Sequence, residues 1–298
     1  MSDDTSSAGV ELDVMVTGEV PIPVGYLYRP ESGNPLARLL TAARSIGDVL
    51  RAPCLAYAIR HPSAGTILID TGMHPDACSD LRRDFGTPLG LVFRSLRPAE
   101  ESFDVQLRGL DVEPSTVERV IMTHLHVDHT SGMRLLPRAE FICSREEWTA
   151  AHSRFAVGKG YVNHHLPPAS RVEFVDFDGD GEPYGPFTKT IDLLGDGTIR
   201  LISNPGHTAG HMSVLLRLKR GRQVLVIGDA AYTLRNIRER TLPMLTDDDR
   251  ASLRSMREIE AFAESDPEAI LVPTHDPVAW HELRHVTASA ERALAARN

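Results

Sequence analysis

Residues 120–132, VIMTHLHVDHTSG, set His124, His126, Asp128 and His129 within six positions, directly after an apolar run. Extended backbone sends residues i and i+2 to the same side, so His124, His126 and Asp128 can converge on one point beyond RVIMT. His129 faces elsewhere unless the chain turns, and the TSG that follows at once favours a turn. Imidazole nitrogen and carboxylate oxygen are donors that Zn²⁺ prefers, and the i, i+2 spacing differs from the i, i+4 spacing of helical HExxH sites. Four such donors in six positions read as a metal site rather than as isolated, satisfied histidines.

Working outward, apolar runs recur as CLAYAIR (54–60), GTILIDTG (65–72), RVIMTH (119–124), AEFICS (139–144), TIRLISNPG (198–206), MSVLLRL (212–218), QVLVIGDA (223–230) and AILVPTH (269–275). Most are short, rich in Val, Ile and Leu, and closed by Gly, Pro, Asp or Thr, the signature of strands in a layered α/β protein. Helical spacing marks 246–264, where Leu253, Met256, Ile259 and Phe262 recur, Thr246 can cap, and Asp247, Asp248 and Asp249 suit the positive end of the helix dipole. Residues 145–154 and 34–50 are further helix candidates, the latter with Asn34 as cap and Pro35 at its first position. No fixed-period repeat, low-complexity tract or Ser/Gly-rich linker divides the chain, which reads as one domain over 1–298 with an N-terminal extension to about residue 50. DFDGDG (176–181) opens like a calcium loop, but Phe187 stands where the bidentate Glu belongs, so it reads as an acidic turn.

Composition narrows the class. With 298 residues, 42% apolar and 24% charged, the chain can bury a sizeable core and reads as soluble. Neither a secretory signal nor a membrane-length apolar span is visible. Cys54, Cys78 and Cys143 are scattered and odd in number, which argues against a disulfide framework and for a reducing, cytoplasmic setting. A net charge of -9 without a basic cluster excludes nucleic acid as the expected partner. The long N-terminal region could cover a second copy, which allows a homodimer.

Further metal-competent residues close other strand-like runs: His207 after LISNPG, Asp229 after VLVIG and His275 after ILVPT. Folds of this class gather their sites at such strand ends. One ion would take three or four protein donors, so seven donors suggest two ions sharing one carboxylate.

These blocks, HLHVDH, PGHTAGH, IGDAAY and PTHD, stand in the order and wide spacing of the metallo-β-lactamase superfamily, which the chain resembles over roughly residues 55–276. The resemblance implies an αββα sandwich with two divalent metal ions, zinc foremost, at one edge of its sheets. It implies His124, His126 and His207 on one ion, Asp128, His129 and His275 on the other, and Asp229 bridging. It also implies that Asp70 in LIDTG orients ligands and that His211 is a structural hydrogen-bonding residue. Sequence does not separate zinc from Fe, Mn or Co.

Within the superfamily, DAAYT places Tyr232 three residues after Asp229, and with PGHTAGH, THD and REEWTAAH this resembles the N-acyl homoserine lactonases. The resemblance implies a small lactone as substrate, a metal-bridging hydroxide that attacks its carbonyl, Tyr232 as hydrogen-bond donor to the carbonyl oxygen, and Asp128 as proton carrier to the leaving alkoxide. The alternative is a thioester hydrolase of the glyoxalase II kind, which carries GDTLF where this chain has GDAAY; a tRNA-processing nuclease would want a basic surface, and a non-catalytic metal-binding protein would be expected to lose ligands. Val127, the long N-terminal part and a 173–190 insertion are departures that could reshape the acyl pocket, leaving chain-length preference open.

Overall fold

The computed structural model describes residues 9–29 and 47–287. Its first sheet is built from β1 (Glu11–Pro23), β2 (Val49–His61), β3 (Gly65–Ile69), β4 (Arg97–Pro98), β5 (Arg119–Ile121), β6 (Glu140–Ser144) and β7 (Val172–Val175), in the order β4-β1-β2-β3-β5-β6-β7. The second holds β8 (Glu182–Tyr184), β9 (Phe187–Asp192), β10 (Ile199–Ser203), β11 (Met212–Arg217), β12 (Gln223–Gly228) and β13 (Ile270–Pro273), in the order β13-β12-β11-β10-β9-β8.

Side-chain alternation makes the layers. Tyr57, Ile59, Ile67, Ile69, Ile121 and Ile142 of the first sheet pack against Leu201, Val214, Val224, Val226 and Val272 of the second, forming the central core. The intervening residues Ala56, Ala58, Leu68, Val120 and Phe141 point the other way, onto Phe103 and Leu107 of the helix Phe103–Gly109. Ile202, Leu225 and Ile227 likewise turn outward onto Met256, Ile259 and Phe262 of the helix Asp249–Ser265. Each sheet thus buries both faces, which is why its strands read as continuous apolar runs. The result is the expected αββα sandwich.

Every expected apolar run falls on a strand, and several local readings change. The helix expected from Thr246 begins at Asp249, because the Asp248 carboxylate accepts from the N–H groups of Arg250 and Ala251 and takes the cap. Thr246 instead donates its hydroxyl to Asp249. The helix expected over 145–154 spans Arg145–Ala151. Most of the 34–50 candidate lies outside the described residues, and its end, Val49 and Leu50, belongs to β2. The N-terminal part supplies β1, which pairs with β2 along its full length. DFDGDG is a turn closed by Asp176, whose carboxylate accepts from the N–H groups of Asp178 and Gly179. Among the described residues no helix is long and apolar enough to cross a membrane.

Candidate metal centre

Beyond β5 the chain bends at Thr123, and it is extended at His126, whose φ and ψ are -69° and 159°. Residues Val127–Thr130 then make one helical turn, closed by the Thr130 N–H donating to the His126 carbonyl at 3.1 Å. That turn answers the question of His129, since it brings Asp128 and His129 to the same side as His124. His207 comes from the loop between β10 and β11, Asp229 directly from the end of β12, and His275 from just beyond β13. All seven side chains meet at one end of the two sheets.

The Asp229 carboxylate is their centre. Its Oδ2 lies 3.2 Å from His275 Nε2, 3.5 Å from His207 Nε2 and 3.8 Å from His124 Nε2, and its Oδ1 lies 3.5 Å from His129 Nε2. Asp128 Oδ2 stands 3.5 Å from His275 Nε2 and 3.8 Å from His129 Nε2, while His207 Nε2 is 3.0 Å from His126 Nδ1. Two triads result, His124 with His126 and His207, and Asp128 with His129 and His275; within each, the donor atoms lie within 4.8 Å of one another. A third group, His124 with His129 and Asp229, spans the two.

The donors fit cations. His124 Nε2, His129 Nε2 and Asp229 Oδ1 are buried with no hydrogen-bond partner among the described residues, all directed into the same space. Leaving such a group unpaired costs about 1–3 kcal/mol, which coordination would recover. Burial, reinforced by neighbouring imidazoles, holds His124 well below the usual histidine range, and burial does the same at His207. Burial brings His126 down to about 4 against the opposing pull of Asp128. Neutral imidazoles keep the lone pair that coordination needs, which these three offer. Burial would lower His129 and His275 too, but Asp70, Asp128 and Asp229 carry His129 well above the usual histidine range, and Asp229 and Asp128 raise His275. Burial would raise Asp229, but His275 and His129 hold it well below the usual carboxylate range, so it remains ionised.

Behind the cluster a second ring of contacts sets ring orientations. Asp70 Oδ2 accepts from His129 Nδ1 at 2.7 Å and from the Thr123 hydroxyl at 2.7 Å, and Oδ1 accepts from the Thr123 N–H at 2.8 Å. Asp70 holds a left-handed φ of 54° to do so. His275 Nδ1 donates to the Pro53 carbonyl at 2.9 Å. His211 lies outside both triads and accepts from the Asp229 N–H at 2.9 Å.

Gly228, immediately before Asp229, has φ +63°, and a Cβ there would stand 2.6 Å from His211 Nε2. We expect Gly228→Ala to cost on the order of 1–3 kcal/mol, read as a lower midpoint in reversible unfolding. An unchanged midpoint would mean that the strand end relaxes freely.

The cluster forms the floor of a cavity of about 560 Å³. One wall is apolar, from Val20 and Ile22 of β1, Leu89 and Val92 of the helix Leu81–Val92, then Phe93, Leu96 and Val127. The other is more polar, with Thr208, Thr246 and the ion pair of Lys159 and Asp247. Tyr232 stands over the floor, 7% exposed, its ring centroid 5.4 Å from that of His207 and 5.2 Å from that of His275. Of the three departures noted in the sequence, Val127 and the N-terminal part do line the cavity. Residues 173–190 do not: they complete β7 of the first sheet, then form a turn and the edge hairpin of the second, and none is among the described lining residues.

The family model of the metallo-beta-lactamase superfamily matches residues 50–275. The chain belongs to this superfamily. Among superfamily relatives, the N-acyl homoserine lactonase AttM of Azorhizobium caulinodans is 32% identical over 258 residues, covering 85% of this chain and 94% of its own. A solved N-acyl homoserine lactone hydrolase with N-hexanoyl-L-homoserine at its catalytic metal centre superposes with a TM-score of 0.71 at 21% identity, over 93% of this chain and 97% of that one. AidC, a dizinc quorum-quenching lactonase, superposes at 0.61 with 14% identity, over 91% and 90%. At these identities the two structures report the shared fold.

Two features of the site have no signature in the sequence. The Pro53 carbonyl that holds His275 is contributed by backbone, which any residue could supply. Tyr26, in a segment without a motif, lines the cavity with its ring 6.4 Å from that of Tyr232 and 14° from parallel.

Proposed function

We propose that the protein is a metal-dependent hydrolase that opens the lactone ring of N-acyl homoserine lactones. The observation that carries this reading is the pairing of a seven-donor cluster with Tyr232 on the floor of a cavity walled by apolar side chains on one side. A polar lactone head would meet the cluster while an acyl chain lies along Val20, Ile22, Leu89 and Phe93. The 32% identity to an N-acyl homoserine lactonase over most of both chains supports the same assignment.

His124, His126 and His207 would hold one divalent ion, Asp128, His129 and His275 the other, and Asp229 would bridge. Imidazole and carboxylate donors suit zinc, the metal named for AidC. Two bound ions would supply a water acidified to near-neutral pH and polarisation of the lactone carbonyl.

The chain's own side chains do the rest. Burial, then the neighbouring Tyr26 and the carboxylates of Asp229 and Asp128, push the Tyr232 phenol well above its ordinary range. It therefore stays protonated and can donate to the carbonyl oxygen as negative charge builds there. Asp128 remains 9% exposed on the cavity side, where its carboxylate can carry a proton to the departing alkoxide. The apolar wall orients the substrate and displaces water from the acyl side.

A panel of acyl homoserine lactones, simple lactones, a glutathione thioester and a phosphodiester tests the reading. Preferred turnover of the acyl homoserine lactones is expected; preference for the thioester or phosphodiester would overturn it. Tyr232→Phe is expected to keep the fold and both ions while lowering kcat/KM for these lactones by about tenfold or more. A purely packing role predicts little change, since Phe fills nearly the same volume.

A further inference from the structure

Glu147 is fully buried, and the chemistry above does not use it. It lies in the first turn of the helix Arg145–Ala151, capped by Ser144. Burying a carboxylate is costly unless its oxygens are well bonded. Among the described residues no cation forms an ion pair with it; its closest bonds go to backbone, and the side chains of Thr208 and Tyr161 also stand against it. Oε1 accepts from the Leu125 N–H at 2.9 Å, and Oε2 accepts from the Gly210 N–H at 3.1 Å.

Those two residues sit inside the two loops that carry the His124, His126 and His207 triad. Leu125 lies between His124 and His126, and Gly210 lies three positions beyond His207. The grip on Gly210 is two-sided, because the Ser144 hydroxyl donates to the Gly210 carbonyl at 2.8 Å. It is also close: a Cβ on Gly210 would stand 2.1 Å from Ser144 Oγ and 2.2 Å from Glu147 N. This contact accounts for the last glycine of PGHTAGH. The backbone joins the loops further back, where the Met212 N–H donates to the Thr123 carbonyl at 2.9 Å. Nearer the ligand-bearing tips, the Glu147 carboxylate spans the gap.

We propose that Glu147 is a positioning residue that sets the distance between the His124/His126 loop and the His207 loop, and through it the affinity of the three-histidine half of the centre for its ion. This rests on the metal assignment above. The other half has braces of its own, His129 on Asp70 and His275 on the Pro53 carbonyl. Loss of Glu147 therefore acts unequally on the two halves.

The test is a Co²⁺ titration of the metal-free full-length protein, followed by visible absorbance against a competing chelator, with His207→Ala identifying the phase that belongs to the three-histidine half. The wild-type arm reads the metal assignment: two phases uphold it, and one or none overturns it and this proposal with it. The Glu147 arm reads the proposal separately. In Glu147→Gln the amide keeps one acceptor oxygen and turns an NH₂ toward the other N–H, so one of the two bonds is lost. We expect the His207-dependent phase to weaken by about 10–100-fold, the range typical for groups that orient ligands, with the other phase much less affected. Glu147→Asp keeps the charge on an arm one methylene shorter, too short to reach both loops, and is expected to weaken the same phase if the Gln variant does not fold. Equal weakening of both phases, or a lowered unfolding midpoint with unchanged Co²⁺ affinities, would show a merely structural role and overturn the proposal.

Discussion

Asp229→Ala is expected to remove both ions of the proposed centre and to lower lactone hydrolysis by about 10³-fold or more, equivalent to about 4 kcal/mol or more of lost transition-state stabilisation. The reason is its central position: its two oxygens face four imidazole nitrogens at 3.2–3.8 Å, drawn from both triads. Without this carboxylate the triads lose their shared anion, and each keeps only three donors. The fold should survive, because the backbone N–H of residue 229 can still donate to His211 and the strand ladder of β12 does not involve the side chain. Elemental analysis after metal supplementation is the direct measurement. One ion fully retained together with near wild-type turnover would refute the bridging role.

Asp128→Asn separates ligation from proton transfer. The amide retains an oxygen that can approach the ion held with His129 and His275, but it has no basic carboxylate to carry a proton. We expect partial metal retention and a fall in kcat of about 10²-fold or more, within the range that positioned acid–base groups contribute, with a smaller change in KM. Restoring full occupancy with excess metal should leave most of the kcat deficit in place. If full occupancy restores kcat, Asp128 acts only as a ligand.

The legibility of this centre in the sequence has a physical basis. His124 and His126, two positions apart, fall in one triad, and that spacing can be read from the sequence. His207, Asp229 and His275 are recognisable because each closes a buried apolar run, and a polar residue at a strand end has few places to go except a site. The helical turn at Val127–Thr130 is short, so periodicity does not reveal it, and the approach of His129 depends on it. The cap of the helix Asp249–Ser265 moved from Thr246 to Asp248 for a similar reason: several residues in TDDD can cap, and only the packed loop selects among them.

By itself, then, the sequence determined the layered α/β class, the strand runs and the donor types at their ends, since hydrophobic periodicity and ligand chemistry are written residue by residue. Tertiary structure decided which surfaces meet. It placed Val20, Ile22 and Tyr26 of the N-terminal part against the cavity and kept residues 173–190 away from it. It also brought Glu147 between the ligand loops, and the Pro53 carbonyl onto His275 across 222 positions of chain. Contacts of that kind depend on the packing of distant segments, where a backbone carbonyl or a single carboxylate serves by position, and position is set only when the two sheets close on each other.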